Sequence, residues 1–352
     1  MSMAGMPGRG RQMGTGTKIA TTAGAFVAAG IAAKVLNNRQ TERRRVRRGE
    51  DVPFGSVHSD TRKVVSADGI RINVEVDEPD LEAPHLPTIV FVHGVLCTLD
   101  TWHYQRLGLR GRARMVFMDQ RSHGGSDVAD RDSSTIESLA ADLHAVLEAC
   151  TAGPVVLVGH SMGGMTIMQL AADHPVLFGA GLGGRALGGD EHSVVGVALI
   201  STSSRLPLVA NPALRRLAPV ARRVAPAVDW GRGFNSFSVV RRWALGPHAQ
   251  ERHVDMTNEM ILRAPTRVLT DFHPMFAGLD VRHALQALSL VTTIVVAGTD
   301  DSITPLSHSR RIAEGIAGSS MVILEDTGHM AMFEEHVRVT ELILDLAEKT
   351  AP

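Results

Sequence analysis

The sequence predicts an α/β fold: a mostly parallel central sheet with helices on both faces, broken by one inserted helical region. Three observations carry this reading. Short, almost wholly apolar runs recur along the chain, and such runs read as strands buried on both faces. Amphipathic stretches with helical spacing separate them. Between two of the runs stand about eighty residues, Arg205–Leu285, too many for an ordinary crossover.

Residues 1–53 form a tail unlike the rest. Met1–Thr17 is rich in Gly, Met and Arg and reads as unstructured. Ile19–Ala33 carries no charge; as a helix it would span about 22 Å, short of a hydrocarbon core of roughly 30 Å. Arg39, Arg43, Arg44, Arg45, Arg47 and Arg48 follow at once, with only Glu42 among them. That arginine cluster favours a membrane-associated anchor with the rest of the chain in the cytoplasm. A cleaved export signal and a soluble helix are the alternatives.

The first part of the core is expected over residues 54–204. Lys63–Ser66 and Ile70–Asp77 alternate apolar and polar residues around Ala67-Asp68-Gly69, a hairpin signal. Thr88–Val92 and Arg114–Met118 are short β-rich runs, the second ending at Asp119. Thr135–Ala149 has helical spacing, with Ile136, Leu139, Leu143, Val146 and Leu147 on one face. Pro154–Val158 is a continuous apolar strand stopped by Gly159, and Met162–Asp173 is a helix ended by His174-Pro175. Gly179–Asp190 is glycine-rich and reads as a surface loop, and Val194–Ser201 is the next strand. Residues 205–285 are expected to form a helical cap. The core resumes over residues 286–352 with the strands Thr293–Ala297 and Met321–Leu324.

Composition removes several function classes. The chain has 352 residues, with 36 basic and 37 acidic side chains. That balance argues against a nucleic-acid partner, which requires a basic excess. Two cysteines, Cys97 and Cys150, cannot build a disulfide framework or a four-cysteine zinc site. The sixteen histidines show no metal-binding spacing, so neither a metal nor another cofactor is expected. No apolar run reaches about 20 residues, which excludes a polytopic membrane protein.

The chemistry is carried by Gly159-His160-Ser161-Met162-Gly163. Gly-x-Ser-x-Gly is a weak pattern alone, but here it follows a buried strand and opens a helix, the context a nucleophile elbow requires. The turn is tight enough that both flanking glycines must lack side chains, and it lifts the Ser161 hydroxyl from the sheet edge. An activated serine needs a base and an acid to orient it. Asp300-Asp301 and His329 each lie just past the end of a strand, in the order serine, acid, histidine.

With these residues the chain resembles the α/β-hydrolase family, in its branch with a lid between the sixth and seventh strands. The resemblance runs from about Val64 to Ala347. It includes His93-Gly94, the segment Asp119 to Ser126, the elbow, Asp301-x-x-x-Pro305 and Gly328-His329. In relatives the acid lies four positions before that proline, which selects Asp301 over Asp300. The resemblance further implies that the amides of Val95 and Met162 form the oxyanion hole, while the bulk of Val95, Leu96 and Met162 shapes the acyl pocket. His93 is expected to pack and hydrogen-bond to hold that loop rather than act as a base, and is counted with Leu96 among the residues that contact substrate. Phe272, Met275 and Phe276 of the cap are candidates for lining an acyl tunnel.

The cap carries twelve arginines against six acids. Arg215, Arg216, Arg222 and Arg223 share one helical face, with Leu214, Leu217, Val220 and Val224 on the other. That segment fits a lid helix, and it would also suit an anionic membrane surface. The expectation is therefore a serine hydrolase, carboxylesterase- or lipase-like, with a hydrophobic small-molecule acyl substrate. Thioester hydrolysis, carbon–carbon cleavage, perhydrolase-like chemistry and acyl transfer use the same triad and stay open, as does a non-catalytic ligand-binding protein of this fold.

Overall fold

The computed structural model describes residues 52–83, 85–179, 193–206 and 236–352. Eight strands form one sheet: β1 (Thr61–Val65), β2 (Arg71–Asp77), β3 (Thr88–Val92), β4 (Met115–Asp119), β5 (Pro154–His160), β6 (Ser193–Ile200), β7 (Thr292–Gly298) and β8 (Ser320–Leu324). Their order is β1-β2-β4-β3-β5-β6-β7-β8. The β1–β2 and β2–β4 pairs are antiparallel, and every later pair is parallel.

The β1–β2 hairpin closes as the Asp-Gly signal requires. Ser66 donates to the Ile70 carbonyl and Gly69 to that of Ser66, with Gly69 at φ +86°. Strand β4 lies one residue later than the sequence suggests, because Asp119 still pairs with Asn73 of β2.

The helices are α1 (His103–Leu109), α2 (Ile136–Cys150), α3 (Met162–Asp173), α4 (Ser236–Trp243), α5 (Glu251–Arg263), α6 (Arg267–Gly278), α7 (Leu285–Leu288), α8 (Leu306–Gly315), α9 (Ala331–Glu334) and α10 (His336–Lys349). The predicted face of α2 is buried at all five positions, and Thr135 caps the helix by accepting from the Ser138 amide. Helices α2, α3, α7 and α8 pack on one face of the sheet through Leu143, Ile167, Leu288 and Ile312. Helices α1 and α10 pack on the other through Leu109, Val339, Ile343 and Leu346. Alternation along β3 serves both faces: Val90 and Val92 turn to the first, Ile89 and Phe91 to the second.

Helices α4, α5 and α6 lie between β6 and β7, within the segment expected to be a cap. Its base is tied: Arg205 bridges Asp280, and the Val281 amide donates to Ser204 O at 2.9 Å. The chain therefore leaves and rejoins the core at one place. The proposed amphipathic stretch around Arg215–Val224, most of the Gly179–Asp190 loop and the Ile19–Ala33 segment lie outside the described residues. Among the described residues, no helix is long and apolar enough to cross a membrane.

Candidate active site

The ends of β3, β5, β7 and β8 converge. Each parallel strand delivers a loop at its C-terminal end, where open α/β sheets hold their ligands.

Ser161 occupies the turn between β5 and α3 at φ 52°, ψ −116°, a backbone region that costs a non-glycine residue energy and persists only where its surroundings enforce it. Three glycines do the enforcing. A Cβ on Gly163 would stand 2.1 Å from the Val92 carbonyl oxygen, one on Gly164 2.7 Å from Thr202 Oγ1, and one on Gly159 2.7 Å from the Gly164 amide. The Ser161 amide donates to Ile200 O at 3.0 Å, and Thr202 Oγ1 donates to Ser161 O at 2.6 Å. The elbow is thus gripped by the strands on both sides.

Asp301 and His329 meet. His329 Nδ1 lies 2.9 Å from Asp301 Oδ2. Thr304 Oγ1 donates to the same oxygen at 2.8 Å, while the amides of Ile303 and Thr304 donate to Oδ1 at 2.9 and 2.8 Å. Burial pushes the Asp301 carboxyl up, but His329 and these donors outweigh it and hold the group below the usual carboxylate range. Asp300 is exposed, and its carboxylate accepts from Thr299 Oγ1 at 2.9 Å. The loops are locked together by the Asp300 amide on Thr327 O at 2.9 Å.

The residue before Ser161 touches this pair. The His160 ring lies 4.7 Å from the His329 ring, and its Nε2 donates to His329 O at 3.0 Å. Ser161 and His329 are each 5% exposed. A carboxylate–imidazole pair of this kind can draw a proton from a neighbouring hydroxyl and carry the resulting charge.

The loop after β3 abuts the elbow: a Cβ on Gly94 would meet Ser161 Cβ at 3.1 Å. Leu96 sits at φ 60° in the turn closed by the Cys97 amide on Gly94 O. Met162 opens α3, so its amide has no partner inside the helix and is free to face an anion. Val95, Leu96 and Phe276 pack, partly buried, on the cluster that contains Met162, Phe272 and Met275.

One expected contact is corrected. His93, proposed to touch substrate, is 0% exposed, and both ring nitrogens are committed. Its Nε2 accepts from the Gln120 amide at 3.0 Å, so Nδ1 carries the proton and donates to Gly94 O at 2.7 Å. Burial lowers it to about 4, so the ring stays neutral. Gln120 completes the brace, donating to His93 O and accepting from Thr166 Oγ1. His93 therefore fixes the loop and does not reach a ligand. Cys97 is likewise buried, and burial pushes its thiol up to about 11, away from nucleophilic use. His123 packs on Phe272 with ring centres 5.7 Å apart.

Sequence reasoning missed three residues of the site. His160 and Thr304 hold His329 and Asp301, and Glu334 grips the loop around His329 with its carboxylate. Thr304 had a signal, since a threonine three residues after an acid can close back on it.

Comparison with known proteins agrees with this fold. A thermophilic esterase from Thermogutta terrifontis superposes with a TM-score of 0.66 at 24% identity, covering 84% of this chain and all of that one. The enol-lactonase of Burkholderia xenovorans LB400 gives 0.64 at 22% identity, over 81% of this chain and 99% of its own. An uncharacterized protein of Mycobacterium tuberculosis is 24% identical over 279 residues, 76% of either chain. The model of the alpha/beta hydrolase fold matches residues 87–336, which contain the elbow, the acid loop and the histidine loop. With the greater part of its length matched, and its site at the strand ends where that fold places one, the chain belongs to the alpha/beta hydrolase fold family.

Proposed function

We propose that the protein is a serine hydrolase that cleaves a carboxylic ester or related acyl compound through an acyl-enzyme. The observation that carries the reading is the Asp301–His329 contact at 2.9 Å, against which His160, the residue before the strained Ser161, packs its ring. Ser161 Oγ attacks the acyl carbon as His329 Nε2 takes its proton. Asp301 holds the imidazole with its proton on Nδ1 and stabilises the imidazolium. The amides of Val95 and Met162 receive the developing oxyanion, each contributing about 3 kcal/mol of transition-state stabilisation. His329 returns the proton to the leaving group, and water, activated by the same imidazole, releases the acid and restores Ser161.

Leu96, Met162, Met275 and Phe276, which share one apolar cluster, are proposed to give the site an apolar side, which favours a hydrophobic acyl group. Relatives named esterase and enol-lactonase support ester-type bonds as the target. The helices between β6 and β7 are proposed as a lid that excludes water and selects substrate by shape. The arginine-rich tail and the basic cap are proposed to bring the protein to a membrane surface. Equal solubility in low salt of the full chain and a chain starting at Asp51 would rule that out.

The test is hydrolysis of p-nitrophenyl esters across acyl lengths by wild type and Ser161→Ala. Activity abolished in the variant, with an optimum at medium or long chains, is the expected result. Undiminished hydrolysis by Ser161→Ala would overturn the assignment.

A further inference from the structure

The loop that carries His329 is joined to the helical insertion by direct backbone contact. The His329 amide donates to Ala244 O, just past α4, at 3.0 Å. A Cβ on Gly328 would lie 2.5 Å from the Gly246 amide nitrogen, and one on Gly246 2.1 Å from Asp326 O. The two segments touch so closely that only glycine fits on either side of the seam. Across it sits Glu334 of α9. Its Oε2 accepts from the Gly246 amide at 2.7 Å and its Oε1 from the Gly328 amide at 3.1 Å. The Met330 backbone adds a further hydrogen bond to the same carboxyl. One side chain thus holds backbone immediately before and after His329 and, with the same carboxyl, the insertion.

We infer that Glu334 is a positioning residue which clasps the insertion to the His329 loop, so that seating of the insertion and placement of the imidazole are a single event. The inference rests on His329 being the general base. It adds that the base is in place only when residues 244–246 are docked. Glu334 touches no reacting atom; it acts through the two glycine amides. The two glycine amides are taken by different oxygens, and an amide side chain would set an NH2 donor against one of them. Glutamine offers one acceptor oxygen, and alanine offers none.

The experiment compares full-length wild type, Glu334→Gln and Glu334→Ala in two measurements. The first is the rate at which a fluorophosphonate labels Ser161, which reads the activated hydroxyl whatever the natural substrate is. The second is hydrogen exchange of residues 244–248 and 326–330, with β5 as the internal reference. Labelling is expected to slow on the order of tenfold or more in Glu334→Ala and by less in Glu334→Gln. Exchange is expected to speed up in both segments together while β5 stays protected. Wild-type labelling rates in both variants would overturn the clasp, and so would faster exchange confined to residues 326–330. If a variant unfolds, β5 loses protection too, and wild type alone then decides. The Gly246 and Gly328 amides must exchange through one opening with the same free energy, and unequal values sink the inference. Absence of labelling in wild type is a different failure: it removes Ser161 and His329 as a nucleophile–base pair, and the clasp with them.

Discussion

His160 Nε2 donates to the carbonyl oxygen of His329 at 3.0 Å, so the residue before the proposed nucleophile holds the backbone of the proposed base. The bond fixes the tautomer, because a ring nitrogen facing a carbonyl must carry the hydrogen. Burial, reinforced by the neighbouring His329, keeps His160 neutral, far below its usual value. Replacing His160 by alanine is expected to lower kcat on the order of tenfold with KM nearly unchanged, since the loss falls on alignment and not on binding. Steady-state kinetics on a p-nitrophenyl ester check this; a rise confined to KM would contradict it.

Thr304 supplies two of the four donors to Asp301, through its amide and its hydroxyl. Thr304→Val keeps the amide and the shape but removes the hydroxyl. The Asp301 carboxylate is then less well satisfied, with a cost of about 1–3 kcal/mol expected for a hydrogen bond to a charged group. Chemical denaturation at neutral pH measures it. The sign of the pH dependence follows from the depressed carboxyl of Asp301. Its contribution is present above the ordinary carboxylate range and lost as pH falls through the lower folded value. The stability difference between wild type and Asp301→Asn should therefore shrink on acidification.

Gly163 admits no side chain, because its Cβ would stand 2.1 Å from a carbonyl oxygen of β3. That contact is backbone on a central strand and has nowhere to move. Gly163→Ala is expected to destabilise the fold by at least about 1–3 kcal/mol, as overpacking does. It should also slow fluorophosphonate labelling of Ser161. A melting temperature equal to wild type would count against the tight elbow.

Burial of the Glu334 carboxyl raises it to about 7 despite its amide partners, and Asp301 adds to the rise. His248 and Asp326 face each other at 3.8 Å on the solvent side of this seam, and Arg241 of α4 is directed at Ala249 O. The folded protein therefore holds this proton more tightly than the unfolded chain. Between the ordinary glutamate value of about 4.3 and about 7, the unfolded chain has released the proton while the fold still holds it, so stability falls as pH rises. The unfolding free energy of wild type relative to Glu334→Gln should decline across that window, as read from denaturation curves at a series of pH values. A difference that rises with pH would reverse the assignment.

The strands were legible because a sheet buried on both faces demands β-branched runs, and Val155–Val158 or Val194–Ile200 permit nothing else. The elbow was legible for a local reason: strand, glycine, serine, glycine and helix follow within a few residues. Asp301 and His329 could be found because each ends a readable strand. Helix α1 escaped, since its seven residues make barely two turns and show no period. His160 and Glu334 escaped for another reason. His329 O lies 169 residues from His160, and the Gly246 amide 88 residues from Glu334; both are backbone atoms, which any residue offers. For His93 the bracing role was legible and the substrate contact was not, because a histidine beside an expected oxyanion loop looks the same whether or not it also faces a ligand. Only the Gln120 amide, 27 residues on, decides between them.

The bridge between Arg205 and Asp280 gives the insertion a single stem, with the sheet register unbroken on either side of it. What lies beyond the stem is therefore expected to be exchangeable as a unit while the strand ends, and the loops they carry, keep their places. The freedom has one condition. Whatever replaces residues 205–280 must still present a backbone N–H at the place of Gly246, or the part-buried Glu334 loses one of its three backbone partners. Lineages that exchange this region should keep a small residue there while everything around it drifts.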